Sequence, residues 1–272
     1  MQGRLSPPIN NAIQAFPKNN WKNEFEIANR IGFSKIEWIC DSKDNPILYE
    51  SNLLEIKNYS EKFDIKIDSL CADYFIENKL FSESEMNIKK NLDFLKKIIK
   101  KCHKLELSII EIPLIDNSTI RDHNDKNEFR ENLDSIISTI EDHDVIIALE
   151  TDLEPIKLRS FISKFNHPNI KLNYDKGNST ANKFDMEVEL ELLSKWIVNI
   201  HIKDRLFSGY SVPLGNGDVD FERFFELLKN KNYQGDLIIQ GVREDLFGSS
   251  VSPINTCKKY LEFVKQYLDK YK

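Results

Sequence analysis

Short apolar runs alternate with longer stretches in which apolar positions recur every three or four residues, and this alternation continues along the chain. The short runs are Lys35–Ile39 (KIEWI), Lys66–Cys71 (KIDSLC), Ser108–Ile112 (SIIEI), Val145–Leu149 (VIIAL), Ile170–Tyr174 (IKLNY), Ile197–Ile202 (IVNIHI) and Asp236–Ile239 (DLII). Several are unbroken Ile/Val/Leu runs, the pattern of parallel strands covered on both faces. Gln2–Leu5 supplies an eighth strand, the weakest of the set. Helices are predicted at Trp21–Ile31, Glu85–Leu105, Asn127–Asp142, Pro155–Phe165, Met186–Lys195, Phe221–Asn230 and Pro253–Tyr271. In the first, Trp21, Phe25, Ala28 and Ile31 fall about one turn apart; in the second, Met86, Leu92, Leu95, Ile98 and Ile99 share a face. Gly32 and Gly235 lie just before strands, where a helix end takes a left-handed residue.

Strands alternating with helices, with no long linker, repeat or low-complexity tract, predict one α/β domain over residues 1–272, a single (β/α)₈ barrel. A doubly wound open sheet is the rival, but the loop after the first strand, Gly3-Arg-Leu-Ser-Pro-Pro8, is no glycine-rich phosphate loop. With 40% hydrophobic and 30% charged residues, the 272-residue chain has the composition of a soluble globular protein. The net charge of −6 argues against a nucleic-acid partner, which calls for a basic excess. Cys40, Cys71, Cys102 and Cys257 are widely spaced and read as reduced, buried thiols. With no signal-like start and no apolar run of membrane length, a cytoplasmic protein without a membrane partner is expected.

In such barrels the functional groups project from the C-terminal ends of the strands. Those ends read Arg4, Glu37, Asp73, Glu111, Glu150, Asp175, His201 and Gln240, more polar groups than core packing needs. Each has a plainer alternative: Glu150 as a helix cap, Asp175 as a turn aspartate, His201 as a satisfied core histidine. Against these, Thr151 and Asp152 are better placed to cap, and His201 alternates with Lys203 and Arg205 on one strand face. A carboxylate, imidazole and amide set suits Mn²⁺, Mg²⁺ or Co²⁺, with Zn²⁺ also able to use it. Glu150 and Lys203 are the candidate catalytic residues, and Arg4, Arg205 and Arg243 the candidates for an anionic group of the substrate.

The blocks Ala148-Leu-Glu-Thr-Asp152, Tyr174-Asp-Lys-Gly-Asn-Ser179, His201-Ile-Lys-Asp-Arg205 and Val212-Pro-Leu-Gly-Asn-Gly-Asp-Val-Asp-Phe221, with the strand ending at Gln240, resemble the xylose isomerase-like barrels and their sugar-phosphate isomerase/epimerase group. The resemblance spans nearly the whole chain. It implies a divalent metal held by Glu150, Asp175, His201 and residue 240, a sugar or sugar-phosphate substrate contacted by Glu37, Asp73 and Asp204 as well as the arginines, and a homo-oligomer as one option. The family's epimerases carry glutamate at both the first and the last ligand position and move a proton through a cis-enediolate. Here residue 240 is glutamine, and residue 178, a histidine in many relatives, is Asn178.

An amide cannot take a proton. Two-base epimerisation would need Asp73, Glu37 or Lys203 as a substitute for residue 240, whereas single-base aldose–ketose isomerisation needs none. The sequence therefore favours an isomerase, with a 3-epimerase next. A metal-dependent dehydratase and a non-catalytic sugar-binding barrel follow. A zinc endonuclease of the same fold would call for several strand-end histidines, and this chain supplies one.

Overall fold

The seven strong apolar runs all form strands, but their lengths divide the wall of the barrel into two unequal halves. The computed structural model describes residues 1–247 and 251–271. On one side β3 (Ile109–Leu114), β4 (Ile146–Thr151), β5 (Ile170–Asp175) and β6 (Ile197–Ile202) are six residues each. On the other, β1 (Trp38–Ile39), β2 (Ser69–Cys71) and β9 (Asp236–Ile239) have two, three and four. All seven are parallel, in the order β1-β2-β3-β4-β5-β6-β9. A separate antiparallel hairpin, β7 (Asp204–Arg205) with β8 (Ser211–Val212), continues from β6.

The expected eighth strand over Gln2–Leu5 contracts to one residue. Gln2 forms a parallel bridge with Glu37, and its N–H donates to Ile239 O at 3.4 Å, so Gln2 links β1 to β9. The run from Lys35 and that from Lys66 start with an isolated bridge, Lys35↔Lys66, and become strands only further on.

The helices are α1 (Trp21–Ile31), α2 (Glu50–Phe63), α3 (Tyr74–Glu77), α4 (Glu85–Lys104), α5 (His123–Asp134), α6 (Ile137–Asp142), α7 (Pro155–Ile162), α8 (Lys176–Ala181), α9 (Met186–Leu193), α10 (Phe221–Asn230) and α11 (Pro253–Lys270). α4 buries Ile88, Leu92, Leu95, Ile98 and Ile99 against the sheet, each such side chain contributing roughly 1.5–3 kcal/mol. Met86, expected on that face, is exposed. α2 has no counterpart in the sequence reading, because only Leu53 and Ile56 of its fourteen residues are buried and the apolar stripe is thin. The single helix expected over 127–142 is two. It begins at His123, capped by the Asp122 carboxylate, and breaks where Ser135 Oγ donates to Asn132 O and Ile136 leaves helical geometry at φ −117°.

Gly32 ends α1 in the left-handed region at φ 99°. After α10 that conformation is taken by Asn232, at φ 51°, and not by Gly235. A Cβ at Gly235 would instead come within 2.5 Å of Val198 O, so the glycine there makes room for β6. All four cysteines are buried free thiols. Among the described residues no helix is long and apolar enough to cross a membrane.

Candidate metal centre

Parallel register places the polar ends of β4, β5 and β6 side by side. Asp175 pairs with His201 across β5 and β6, and Gln240 N donates to Ile202 O at 2.9 Å, so residue 240 sits beside the end of β6. Side chains alternate along a strand, which directs Asn199, His201 and Lys203 to the same side of β6. Contacts across the barrel show that this side is the interior. Asn199 and His201 both reach Glu37, at 2.9 and 2.8 Å.

His201 is fully buried and its two ring nitrogens have different surroundings. Nε2 donates to Glu37 Oε1 at 2.8 Å and lies 3.1 Å from Glu111 Oε2. Nδ1 has no hydrogen-bond partner and lies 3.6 Å from Glu150 Oε2 and 4.0 Å from Asp175 Oδ2. Glu150, Asp175 and His201 each offer a ligand atom within 4.8 Å of the others, and so do Glu37, Glu111 and His201. Gln240 is 5% exposed, and its Oε1 is likewise without a partner.

The neighbours of Glu150 and Asp175 hold them in place. Asn178 Nδ2 donates to Glu150 Oε1 at 2.7 Å and Asn173 Nδ2 to Glu150 Oε2 at 3.4 Å. Asp175 Oδ1 accepts the Asn178 N–H at 2.8 Å, while Oδ2 pairs with Lys203 Nζ at 2.7 Å. A Cβ at Gly177 would lie 2.8 Å from the Lys203 side chain, so this glycine lets α8 settle on the lysine stem.

Electrostatically the centre is over-supplied with acid. Glu37, Glu111, Glu150 and Asp175 are all buried there, and Lys203 is the neighbouring lysine. Burial, then the charges of Glu111 and Asp175, push the Glu150 carboxyl well above the usual carboxylate range. Burial opposes ionisation of Glu111 as well, but the charge of His201 and hydrogen bonds with Glu150, His201 and Cys71 together outweigh it and hold Glu111 at about 2. Burial alone would lower the His201 pKa; Glu111 and Glu37 outweigh it and raise it well above its ordinary value. A divalent cation answers each of these strains. It offsets the excess of carboxylates, and His201 Nδ1 and Gln240 Oε1, buried and unpartnered, are ordinary donors to such an ion. The residues fit the metal that the sequence led us to expect.

The remaining candidates divide. Glu37 is buried, and its carboxylate accepts four bonds from side chains. Asp73 accepts from Gln14 Nε2 at 2.5 Å and from the Cys71 thiol, and burial pushes it up to about 6. Asp204 is spent on the 213–219 turn, where it accepts the N–H groups of Gly215, Gly217 and Val219. Arg243 donates to the carbonyls of Gly3, Ser6 and Ile13. Arg4 donates to Gly241 O, Gln2 O and Gln14 Oε1. Arg205 donates twice to Gly209 O and once to Asn178 Oδ1, at 2.8 Å.

Glu111, expected at a strand end, lies within β3, which runs on to Leu114, and is fully buried against His201. Ser69, Asn173 and Asn199 were not singled out, though each is a polar residue of inward parity in an apolar strand, which was the available signal. Gln14 comes from an irregular loop and carried no signal.

A family model described as xylose isomerase-like TIM barrel matches residues 25–266. The L-ribulose-5-phosphate 3-epimerase UlaE of Escherichia coli O1:K1 is 26% identical over 231 residues, 81% of each chain. Among solved structures, the IolI protein with a bound zinc atom superposes with a TM-score of 0.78 at 18% identity, covering 92% of this chain and 94% of that one. An L-ribulose 3-epimerase also gives 0.78, at 15% identity over 100% and 94%. At these identities the two structures speak for the fold.

Proposed function

Since the chain belongs to the xylose isomerase-like TIM barrel family, we propose that it is an enzyme of the sugar isomerase and epimerase type, a divalent-metal-dependent isomerase that moves a proton on a sugar or sugar phosphate. The observation that carries this reading is the pair of buried, unpartnered donors, His201 Nδ1 and Gln240 Oε1, at the barrel end that also holds Glu150 and Asp175. These four residues would hold the ion. When bound, it polarises the substrate carbonyl and offsets the charge that develops on the oxygen. The metal in IolI is zinc; Mn²⁺, Mg²⁺, Co²⁺ and Zn²⁺ all suit this donor set.

Glu150 takes the proton from the carbon beside the carbonyl. Burial and the charges of Glu111 and Asp175 raise its affinity for a proton, a bound cation would offset those charges and leave it ionised, and Asn178 and Asn173 fix its two oxygens. Lys203 keeps Asp175 oriented and places positive charge beside the centre. Gln240 contributes an oxygen and no base, so the planar enediolate is served from one face; a proton returned to the neighbouring carbon on that face, with the hydroxyl proton passing from O1 to O2, gives the aldose. The three arginines are engaged by carbonyl oxygens; in this reading Arg4 and Arg243 brace the first turn of the chain and Arg205 braces Asn178. None is reserved for a phosphate, and an assay must carry free and phosphorylated sugars alike.

Epimerisation is the second reading. It is favoured by the 3-epimerase relatives and by Asp73, an ionisable carboxyl that reaches Gln240 through Gln14. One experiment separates the two. Ketoses and ketose phosphates are incubated with the protein and Mn²⁺, Mg²⁺, Co²⁺ or Zn²⁺ in D₂O and followed by NMR. Aldose carrying deuterium supports the isomerase; a C3 epimer without aldose supports the second reading. No exchange with any sugar or metal would falsify both.

A further inference from the structure

We infer that Gln2 and Glu37 form a hydrogen-bond relay that presets the side chains of Gln240 and His201 as ligands for the divalent ion. Glu37 is then a positioning residue, not the substrate contact that the sequence suggested. The inference rests on the metal reading above.

The relay is set by its central group. The Glu37 carboxylate is 1% exposed and surrounded by donors. Its Oε1 accepts from Gln2 Nε2 at 3.0 Å and from His201 Nε2 at 2.8 Å, and its Oε2 from Ser69 Oγ at 2.7 Å and Asn199 Nδ2 at 2.9 Å. A carboxylate accepts and does not donate, so every neighbour must turn a donor toward it. Gln2 therefore presents its amide nitrogen to Glu37 and its Oε1 to Gln240. Gln240 answers with its own nitrogen, Nε2 to Gln2 Oε1 at 2.7 Å, and shares that nitrogen with Gln14 Oε1 at 3.1 Å. The end of the Gln240 amide left over is Oε1. On the other arm His201 spends Nε2 on Glu37, and the atom left over is Nδ1. Both atoms are buried without a hydrogen-bond partner. One carboxylate thus fixes the direction of both side chains, as outer partners of metal-bound histidines do.

The relay also gives a physical reason for the amide at position 240. A carboxylate there would set its oxygen against Gln2 Oε1 and Gln14 Oε1, acceptor against acceptor. Gln2 could not turn round to meet it, because its other end is held by Glu37. Gln2 and Gln240 are a matched pair, and the one-residue strand is the piece of barrel wall that carries the link.

The test titrates the full-length protein, stripped of metal by a chelator, with Mn²⁺, and reads binding by calorimetry and by the paramagnetic resonance signal of free Mn²⁺. Gln2→Leu and Glu37→Gln should each lower Mn²⁺ affinity about 10–100-fold. The double variant should be no weaker than the weaker single, because both break one chain. Asn45→Ala removes an equally buried polar group that holds Trp38 Nε1 and Ile39 O but does not touch the relay, and it should leave the affinity unchanged. Circular dichroism confirms folding; Glu37→Gln keeps the side chain's shape and carries the test alone if Gln2→Leu does not fold. Folded single variants that bind Mn²⁺ as tightly as the unsubstituted protein, or losses that simply add in the double, overturn the relay. An unsubstituted protein that binds neither Mn²⁺, Co²⁺ nor Zn²⁺ overturns the metal reading itself, and the relay's purpose with it.

Discussion

The open end of the barrel has an acidic wall and an amide wall. The acidic wall, built by the four long strands, brings together Glu111, Glu150, Asp175 and His201 in an arrangement that leaves ligand atoms unpartnered and pushes the Glu150 carboxyl well above the usual carboxylate range. The amide wall, built by the short strands and the single residue Gln2, joins Gln2, Gln14 and Gln240 through complementary donors and acceptors. Buried carboxylates without partners cost free energy, and a fold retains that strain where chemistry uses it. A buried amide network that leaves one atom over, here Gln240 Oε1, is rigid and neutral. In the proposed function, proton transfer falls to the first wall and alignment to the second.

The sharpest way to break this contrast is to remove the acidic wall's base. Glu150→Gln keeps an oxygen for the ion but cannot accept the proton, so kcat should fall about 10²–10⁴-fold while metal content, measured beside the kinetics, stays within reach of saturation. A loss confined to KM would place the base elsewhere.

Asp204 sharpens the comparison from the same wall, because its charge is spent on three loop amides. Asp204→Ala leaves those amides without their acceptor and should cost about 1–3 kcal/mol, read as a lowered Tm. Chemical exchange should suffer only through the 213–219 turn. A Cβ at Gly217 would collide with this carboxylate, so Gly217→Ala should lower the Tm as well.

Glu24 lies beyond the amide wall, and its carboxyl is raised by burial, against the pull of Ser6, Arg243 and Arg4. The folded protein therefore holds this proton more tightly than the unfolded chain does. Stability falls as the pH rises from the ordinary carboxylate value through the raised one. Glu24→Gln should remove that fall, so the Tm difference between variant and unsubstituted protein should grow with pH across this window; a constant difference would contradict the assignment. The smallest effect belongs to Asp73→Asn. If proton transfer is confined to the acidic wall, its deuterium exchange rate should match the unsubstituted protein, and a collapse of exchange would make Asp73 the second base.

The two walls were not equally legible in the sequence. The long strands announce themselves by unbroken Ile/Val/Leu runs, and a carboxylate or imidazole closing such a run is conspicuous, so Glu150, Asp175 and His201 could be named from the chain alone. Gln2 falls in the weakest predicted strand, Gln2–Leu5, and one bridged residue has too little periodicity to reveal what its side chain links. Gln14 comes from a loop whose position depends on the whole fold. The three arginines were read by residue type as anion binders; nothing local revealed that carbonyls of distant segments, such as Gly241 for Arg4 and Gly3 for Arg243, would claim them. The role of Glu37 was hidden for the same reason, because its partners Asn199 and His201 lie more than 160 residues away.

The most direct measurement is the anomalous scattering of Mn²⁺ in a crystal of the metal-loaded protein. The expected result is one peak enclosed by Glu150, Asp175, His201 Nδ1 and Gln240 Oε1, with Glu37 still bonded to Nε2. A peak among Glu37, Glu111 and His201 Nε2, or none at this end of the barrel, would contradict the division of the site into an acidic wall that reacts and an amide wall that aligns.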